Sequence, residues 1–250
     1  MRRAVDWGGT ILFGLFFGLT LIGFDILLRL ATPLGRRPLE HVAIWLQIAL
    51  VRVYGFAGIF PNLEMSEKIE PGVACIMLSN HQSMFDIPLF AWALPRNFPK
   101  YISKRSLAKW IPGISYNLRH GGHALIDRND RNSSVKAIRK LARAVVADGA
   151  SVIIFPEGTR GRDGTLSAFK HAGSLALLDE APDAPIVPVC IHNSWQIMKN
   201  DFKPVPFGIR VRVWFGDPIE RRPDEDRKAL LDRVEGQVAA TLKRFREEDA

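Results

Sequence analysis

Val73-Ala74-Cys75-Ile76-Met77-Leu78 runs without a break into Ser79-Asn80-His81-Gln82-Ser83-Met84-Phe85-Asp86. Six apolar residues in a row after the Pro71-Gly72 turn fit a short strand buried on both faces, the kind found in parallel sheets with helices on either side. In open α/β sheets the chemistry lies beyond the carboxyl ends of the strands, so the polar residues that follow stand where a catalytic loop belongs. His81 and Asp86 are five positions apart. On a regular helix, steps of about 100° leave such side chains about 140° apart. The pair therefore meets only across a turn, which a helix beginning at Ser83 or Asp86 would supply, since Pro88 is tolerated in a first turn. Two uses of Asp86 stay open: orienting His81, or capping a helix, alone or in a capping box with Ser83. Spacing alone does not choose, because a chain with 6 histidines and 15 aspartates meets this interval often by chance.

Further strands are expected at 100–103, 123–126, 152–155 and 186–191, with helical patterns between them. The clearest helix covers 135–147. Val135, Ile138, Leu141, Ala142, Val145 and Val146 form its apolar stripe, Ser133 or Ser134 its cap, and Gly149 its stop. Residues 209–215 alternate apolar and polar, as in a strand with one solvated side near a sheet edge. A last amphipathic helix carries Leu230, Leu231, Val234, Val238, Leu242 and Phe245 on one face. The expected fold is α/β, a largely parallel central sheet flanked by helices, preceded by a membrane-associated helical hairpin. The hairpin covers 1–62 and the α/β domain 63–250.

The hairpin reading comes from the first 60 positions. Residues 7–24 carry no charge, nearly enough to cross a bilayer core, and Gly14 and Gly18 form a GxxxG step. Arg2 and Arg3 precede this run as in a secretory signal, but no small-x-small cleavage site follows. A second apolar segment, 41–60, is broken only by Arg52. Positive residues flank the first segment on both sides, so a returning or half-embedded hairpin accommodates them better than a single span. The alternative is two helices packed on a soluble core. The net charge of +8 favours anionic partners, and Cys75 and Cys190, each in an apolar run, read as reduced core residues.

Two more polar loops leave expected strand ends. Phe155-Pro156-Glu157-Gly158-Thr159-Arg160 follows 152–155: Arg160 offers a planar fork for phosphate, and Glu157 holds that arginine or accepts a substrate hydroxyl. Gly121-Gly122-His123-Ala124-Leu125-Ile126-Asp127-Arg128 ends in a second arginine. Lys104 and Arg105 add positive potential after Ser103. His120 and His123 lack a third ligand at metal spacing, so no metal is expected.

Together these blocks resemble the glycerolipid acyltransferases, represented by the 1-acylglycerol-3-phosphate acyltransferases. Asn80 to Asp86 is similar to that family's Asn-His-x-Ser-x-x-Asp block, Phe155 to Arg160 to its Phe-Pro-Glu-Gly-Thr-Arg block, Gly122 to Arg128 to its Gly-to-Ile-x-Arg block, and Ile186 to Val189 to its Ile-Val-Pro-Val block. Gly161 stands where the family often has Ser, a change expected to be harmless. The resemblance implies acyl transfer from acyl-CoA or acyl carrier protein to lysophosphatidic acid, forming phosphatidic acid without a cofactor. His81 would be the general base and Asp86 its orienter. Glu157, Gly158, Thr159, Arg160, Arg128 and Lys104 would hold the substrate, and Ser83 would be structural rather than nucleophilic. Backbone amides of the His81 loop would stabilise the oxyanion. The cytosolic thioester places the domain on the inner face of a bacterial cell membrane, against membrane lipid. Another lysolipid acceptor, such as a lyso-ornithine lipid or lysophospholipid, is the alternative within the family. A noncatalytic basic membrane adaptor is the alternative outside it. No nucleic-acid partner is expected, because no aromatic-interleaved basic patch occurs.

Overall fold

A computed structural model describes residues 2–127, 130–219, 221 and 225–249. Helices α1 (Arg2–Ala31) and α2 (Arg36–Val53) are joined by a 3-10 turn and Gly35, whose φ of 103° suits glycine alone. They pack against each other through Leu21, Leu28, Leu39, Ala43, Leu46 and Leu50. A sheet of seven strands follows, made of β1 (Asn62–Met65), β2 (Ile76–Ser79), β3 (Lys100–Lys104), β4 (Ala124–Ile126), β5 (Val152–Ile154), β6 (Ile186–His192) and β7 (Arg212–Phe215). Its order is β1-β7-β6-β2-β5-β3-β4.

The five strands from β6 to β4 are parallel, β7 is antiparallel to β6, and β1 runs parallel to β7 along the edge. The largely parallel α/β sheet is therefore present. The expected strand at 209–215 is shorter, and it lies one place inside the edge because β1 covers it. β1 escapes a sequence reading: its four residues, Asn-Leu-Glu-Met, hold no apolar run, and they are placed by backbone pairing with β7, with Glu64 meeting Arg212 and Arg244, each at 2.6 Å.

Alternate residues of each central strand enter opposite cores. Met77, Ile153, Val187, Val189 and Ile191 face a layer containing α1, α2 and α3 (Ile87–Ala93), through Phe13, Val51, Leu89 and Phe90. Ile76, Leu78, Val152, Ile154 and Cys190 face α5 (Arg131–Asp148), α6 (His171–Glu180) and α7 (Arg227–Glu248). The remaining helix, α4 (Ile114–His120), packs beside α1. Burial of both sheet faces explains why β2 reads as an uninterrupted apolar run. Helix α5 starts four residues before the expected 135, and its cap is Asp130, which accepts the Ser133 N–H at 2.9 Å, rather than Ser133 or Ser134. Cys75 and Cys190 are free and buried, and burial pushes the Cys75 thiol up to about 11.

Both α1 and α2 are long and apolar enough to cross a membrane, but neighbours cover them differently. The most apolar window of α2 is 56% buried, against 17% for that of α1. The bare side of α1 is a stripe: Ile11, Leu15, Leu19, Ile22, Ile26 and Leu30. Its other side reaches the loop after β2. Phe85 packs with ring centroids 5.6 Å from Phe13, 5.8 Å from Phe17 and 5.7 Å from Tyr54, while the Tyr54 hydroxyl donates to the Phe85 carbonyl at 2.9 Å. Phe85→Ala should therefore lower unfolding free energy by about 3–5 kcal/mol, measured by denaturant titration. Truncation of its exposed neighbour Met84 should change it by under about 1 kcal/mol.

Candidate active site

Beyond β2 the chain is tied to β6. Asn80 donates its side-chain amide to the Ile191 carbonyl at 2.8 Å and accepts the Ile191 N–H at 2.7 Å. The turn that follows is organised by Asp86, which is fully buried. Its Oδ2 accepts His81 Nδ1 at 2.8 Å, the Gln82 N–H at 2.7 Å and the Ser83 N–H at 2.9 Å. Ser83 Oγ accepts the Phe85 N–H at 3.1 Å, completing a capping box on the 3-10 turn Met84–Asp86, from which α3 continues with Pro88 in its first turn. Asp86 thus caps and orients with the same oxygen, and Ser83 is built into the cap.

A carboxylate accepts only, so His81 Nδ1 carries its proton toward Asp86, and in the neutral imidazole the lone pair is then on Nε2. The imidazole is 13% exposed and stacks on Phe155, with centroids 4.1 Å apart and planes 18° from parallel. Its backbone is clamped as well: the His81 N–H donates to Glu157 Oε1 at 2.6 Å, and its carbonyl accepts the Gly161 N–H at 2.7 Å. Glu157 is buried, and its Oε2 accepts the Ser167 N–H at 2.8 Å. Burial raises its pKa, and the Asp86 charge adds to the rise, against the two amides that lower it. Glu157 therefore sits inside the scaffold, joining the loops after β2 and β5.

The backbone amides of His81, Gln82 and Ser83 all donate to these two carboxylates. These three amides are thus already engaged within the scaffold. Gly161 also matters more than expected: a Cβ there would clash with the Thr165 carbonyl oxygen, so Ser requires a different loop path. On the same loop Gly158 adopts φ 69°, Thr159 is exposed, and half-buried Arg160 directs Nη1 to Met198 Sδ at 3.9 Å. Lys104 is exposed at the end of β3, the neighbour of β5. Arg128 lies outside the described residues.

The structure thus brings His81, Asp86 and Glu157 into one hydrogen-bonded unit, with Arg160 three residues further on. It adds Ser194, which the sequence reading did not single out. Ser194 follows β6, is fully buried and donates to Asp86 Oδ1 at 2.5 Å. No local signal reveals a contact across 108 positions. His123 is a core residue: its Nδ1 accepts the Tyr101 N–H at 3.1 Å, and burial holds its pKa down to about 3. Among the described residues, side chains able to share a metal ion are those of His171, Asp232 and Glu235, whose ligand atoms lie within 4.8 Å of one another. None of the three belongs to the loops around His81.

The sequence model of the Acyltransferase family matches residues 61–192, which include all of these loops. A 1-acyl-sn-glycerol-3-phosphate acyltransferase from Cocos nucifera is 33% identical over 61% of this chain and 48% of its own length. The alpha form from Homo sapiens is 29% identical over 79% of this chain and 69% of its own. The chain spans about half the length of the plant relatives it matches. The crystal structure of the 1-acyl-sn-glycerophosphate (LPA) acyltransferase PlsC from Thermotoga maritima superposes with a TM-score of 0.79, at 21% identity over 98% of both chains, which establishes the shared fold.

Removing the Ser194 hydroxyl leaves a buried carboxylate oxygen short of its shortest donor. Ser194→Ala should lower unfolding free energy by about 1.5–3 kcal/mol, whereas Ser194→Thr should recover most of it, measured by chemical denaturation.

Proposed function

Because the chain belongs to the acyltransferase family, we propose that it transfers a fatty acyl group from acyl-CoA or acyl carrier protein to the free hydroxyl of 1-acylglycerol-3-phosphate, forming phosphatidic acid. The observation that carries this reading is the 2.8 Å contact from His81 Nδ1 to Asp86, which leaves a basic Nε2 on an imidazole held in place by Phe155.

Nε2 takes the proton of the acceptor hydroxyl as its oxygen attacks the thioester carbonyl. The resulting imidazolium is stabilised by buried Asp86. Collapse of the tetrahedral intermediate breaks the carbon–sulfur bond, and the departing thiolate takes the proton back from Nε2. Proton and electron pairs balance without a covalent acyl-enzyme, and no step draws on a cofactor. Arg160 binds the acceptor phosphate through its planar fork, with Arg128 and Lys104 adding positive charge. Glu157 acts through the loops it joins, and Gly158 and Thr159 shape the approach to Arg160.

The bare stripe of α1 supports a membrane role for residues 1–62, with 63–250 carrying the acyltransferase unit. At 30 residues α1 is about 45 Å long, more than the roughly 30 Å bilayer core, yet its inner side is packed on protein. A half-embedded hairpin fits both facts. It keeps the domain at the cytoplasmic face of a bacterial cell membrane, where cytosolic thioesters are found.

With purified lysophosphatidic acid and acyl-CoA, His81→Ala should lower kcat by about 10²–10⁴-fold while leaving the fold intact. Arg160→Ala should act mainly through KM for the phosphorylated acceptor. Full turnover by His81→Ala would sink the mechanism. Equal use of lysolipids without a phosphate monoester would sink the acceptor assignment.

A further inference from the structure

Trp110 is 96% exposed, and its φ of 70° is a left-handed backbone conformation costly for a bulky residue. Neither feature reflects a slack loop. Ser115 Oγ accepts the Ile111 N–H at 2.9 Å and donates to the Leu107 carbonyl at 2.9 Å, while Arg119 Nη1 donates to the Ala108 carbonyl at 2.5 Å. The backbone on both sides of Trp110 is thus braced, and the indole is held out into solvent.

The loop is fastened to the bare helix. The Gly113 N–H donates to Asp25 Oδ1 at 2.8 Å, and Ile111 and Ile114 pack with Leu21, Leu28 and Leu46. Trp110 is three residues from that junction, at most about 11 Å along the chain. The stripe residues flanking Asp25 there are Ile22 and Ile26, both exposed, and Leu107 is exposed on the loop itself. The charge is one-sided. From residue 87 to residue 126 the chain holds no Asp or Glu but six Lys and Arg: Arg96, Lys100, Lys104, Arg105, Lys109 and Arg119. Arg105 and Lys109 are exposed, and among the described residues neither takes part in an ion pair.

We propose that this loop is a second membrane contact: Trp110 sits at the boundary of headgroups and acyl chains, and Arg105 and Lys109 lie against anionic lipid phosphates. An indole beside two cations, continuing an apolar stripe, matches a bilayer surface better than water or a polar protein face. The loop leaves the carboxyl end of β3, the same sheet edge from which the His81 and Arg160 loops emerge. Two contacts, α1 and Trp110, then set the tilt of the domain so that this edge faces the headgroups where a lysolipid arrives.

The proposal rests on the membrane reading of α1, and one experiment separates their failures. The full chain is mixed with vesicles of phosphatidylcholine containing one part in four phosphatidylglycerol, and flotation is measured for wild type and Trp110→Phe. Subtracting their emission isolates Trp110 from the other tryptophans. The expected difference emission is blue-shifted, quenched by lipids brominated near the headgroup and protected from iodide. The double variant Arg105→Glu, Lys109→Glu should lower vesicle affinity at least about tenfold. A protein that floats while the Trp110 emission stays open to iodide overturns the proposal and leaves the α1 contact standing. Shielding only after purified acyl carrier protein is added also overturns it, and assigns the loop to the donor. A protein that does not float overturns both.

Discussion

Asp86 is a charge taken wholly out of water, and the loop around it is shaped by the need to satisfy that charge. An unpaired buried carboxylate is strongly destabilising, so it persists only where donors surround it. Oδ2 gathers the His81 ring and two backbone amides, and Oδ1 receives the Ser194 hydroxyl. Each donor fixes something different: the amides fold the turn, Ser194 ties it to the end of β6, and the imidazole is held in one tautomer. These tasks share one side chain, so the His81 ring, the turn that begins α3 and the end of β6 are held at a single carboxylate.

A second carboxylate repeats this logic across the sheet. Glu157 is buried after β5 and spans from the His81 N–H to the Ser167 N–H, joining two loops that neighbouring parallel strands deliver to one edge. Phe85 does the same on the helical side, lying between the His-to-Asp turn and the aromatic residues Phe13 and Phe17 of α1 and Tyr54 just after α2. The hairpin is thus part of the layer that covers one sheet face. The exposed apolar stripe of α1 and the His81 loop are tied to the same packed core, so the two keep a fixed relation.

What could be read in advance follows from what is local. The apolar run 73–78, the stripe of α5 and the stripe of α7 carry their own period, and all three elements are present within a few residues of the expected bounds. The His81 and Asp86 spacing demanded a turn, and the turn is there, although the choice between cap and orienter dissolved because Asp86 does both. Ser194, strand β1 and the inward use of Glu157 depend on partners far away in sequence, and no periodicity encodes them. Gly161 shows the same limit at short range, since its small size answers to a carbonyl four residues on that only the folded loop brings near.

The central claim is that buried Asp86 makes His81 a base by fixing its tautomer and direction. Steady-state kinetics of Asp86→Asn with lysophosphatidic acid and acyl-CoA, with the fold checked by circular dichroism, tests it most directly. The account predicts a fall in kcat of about 10³–10⁴-fold with KM little changed, as expected when a neutral partner no longer selects the Nε2-basic tautomer. A folded Asp86→Asn variant with kcat within tenfold of wild type would contradict it.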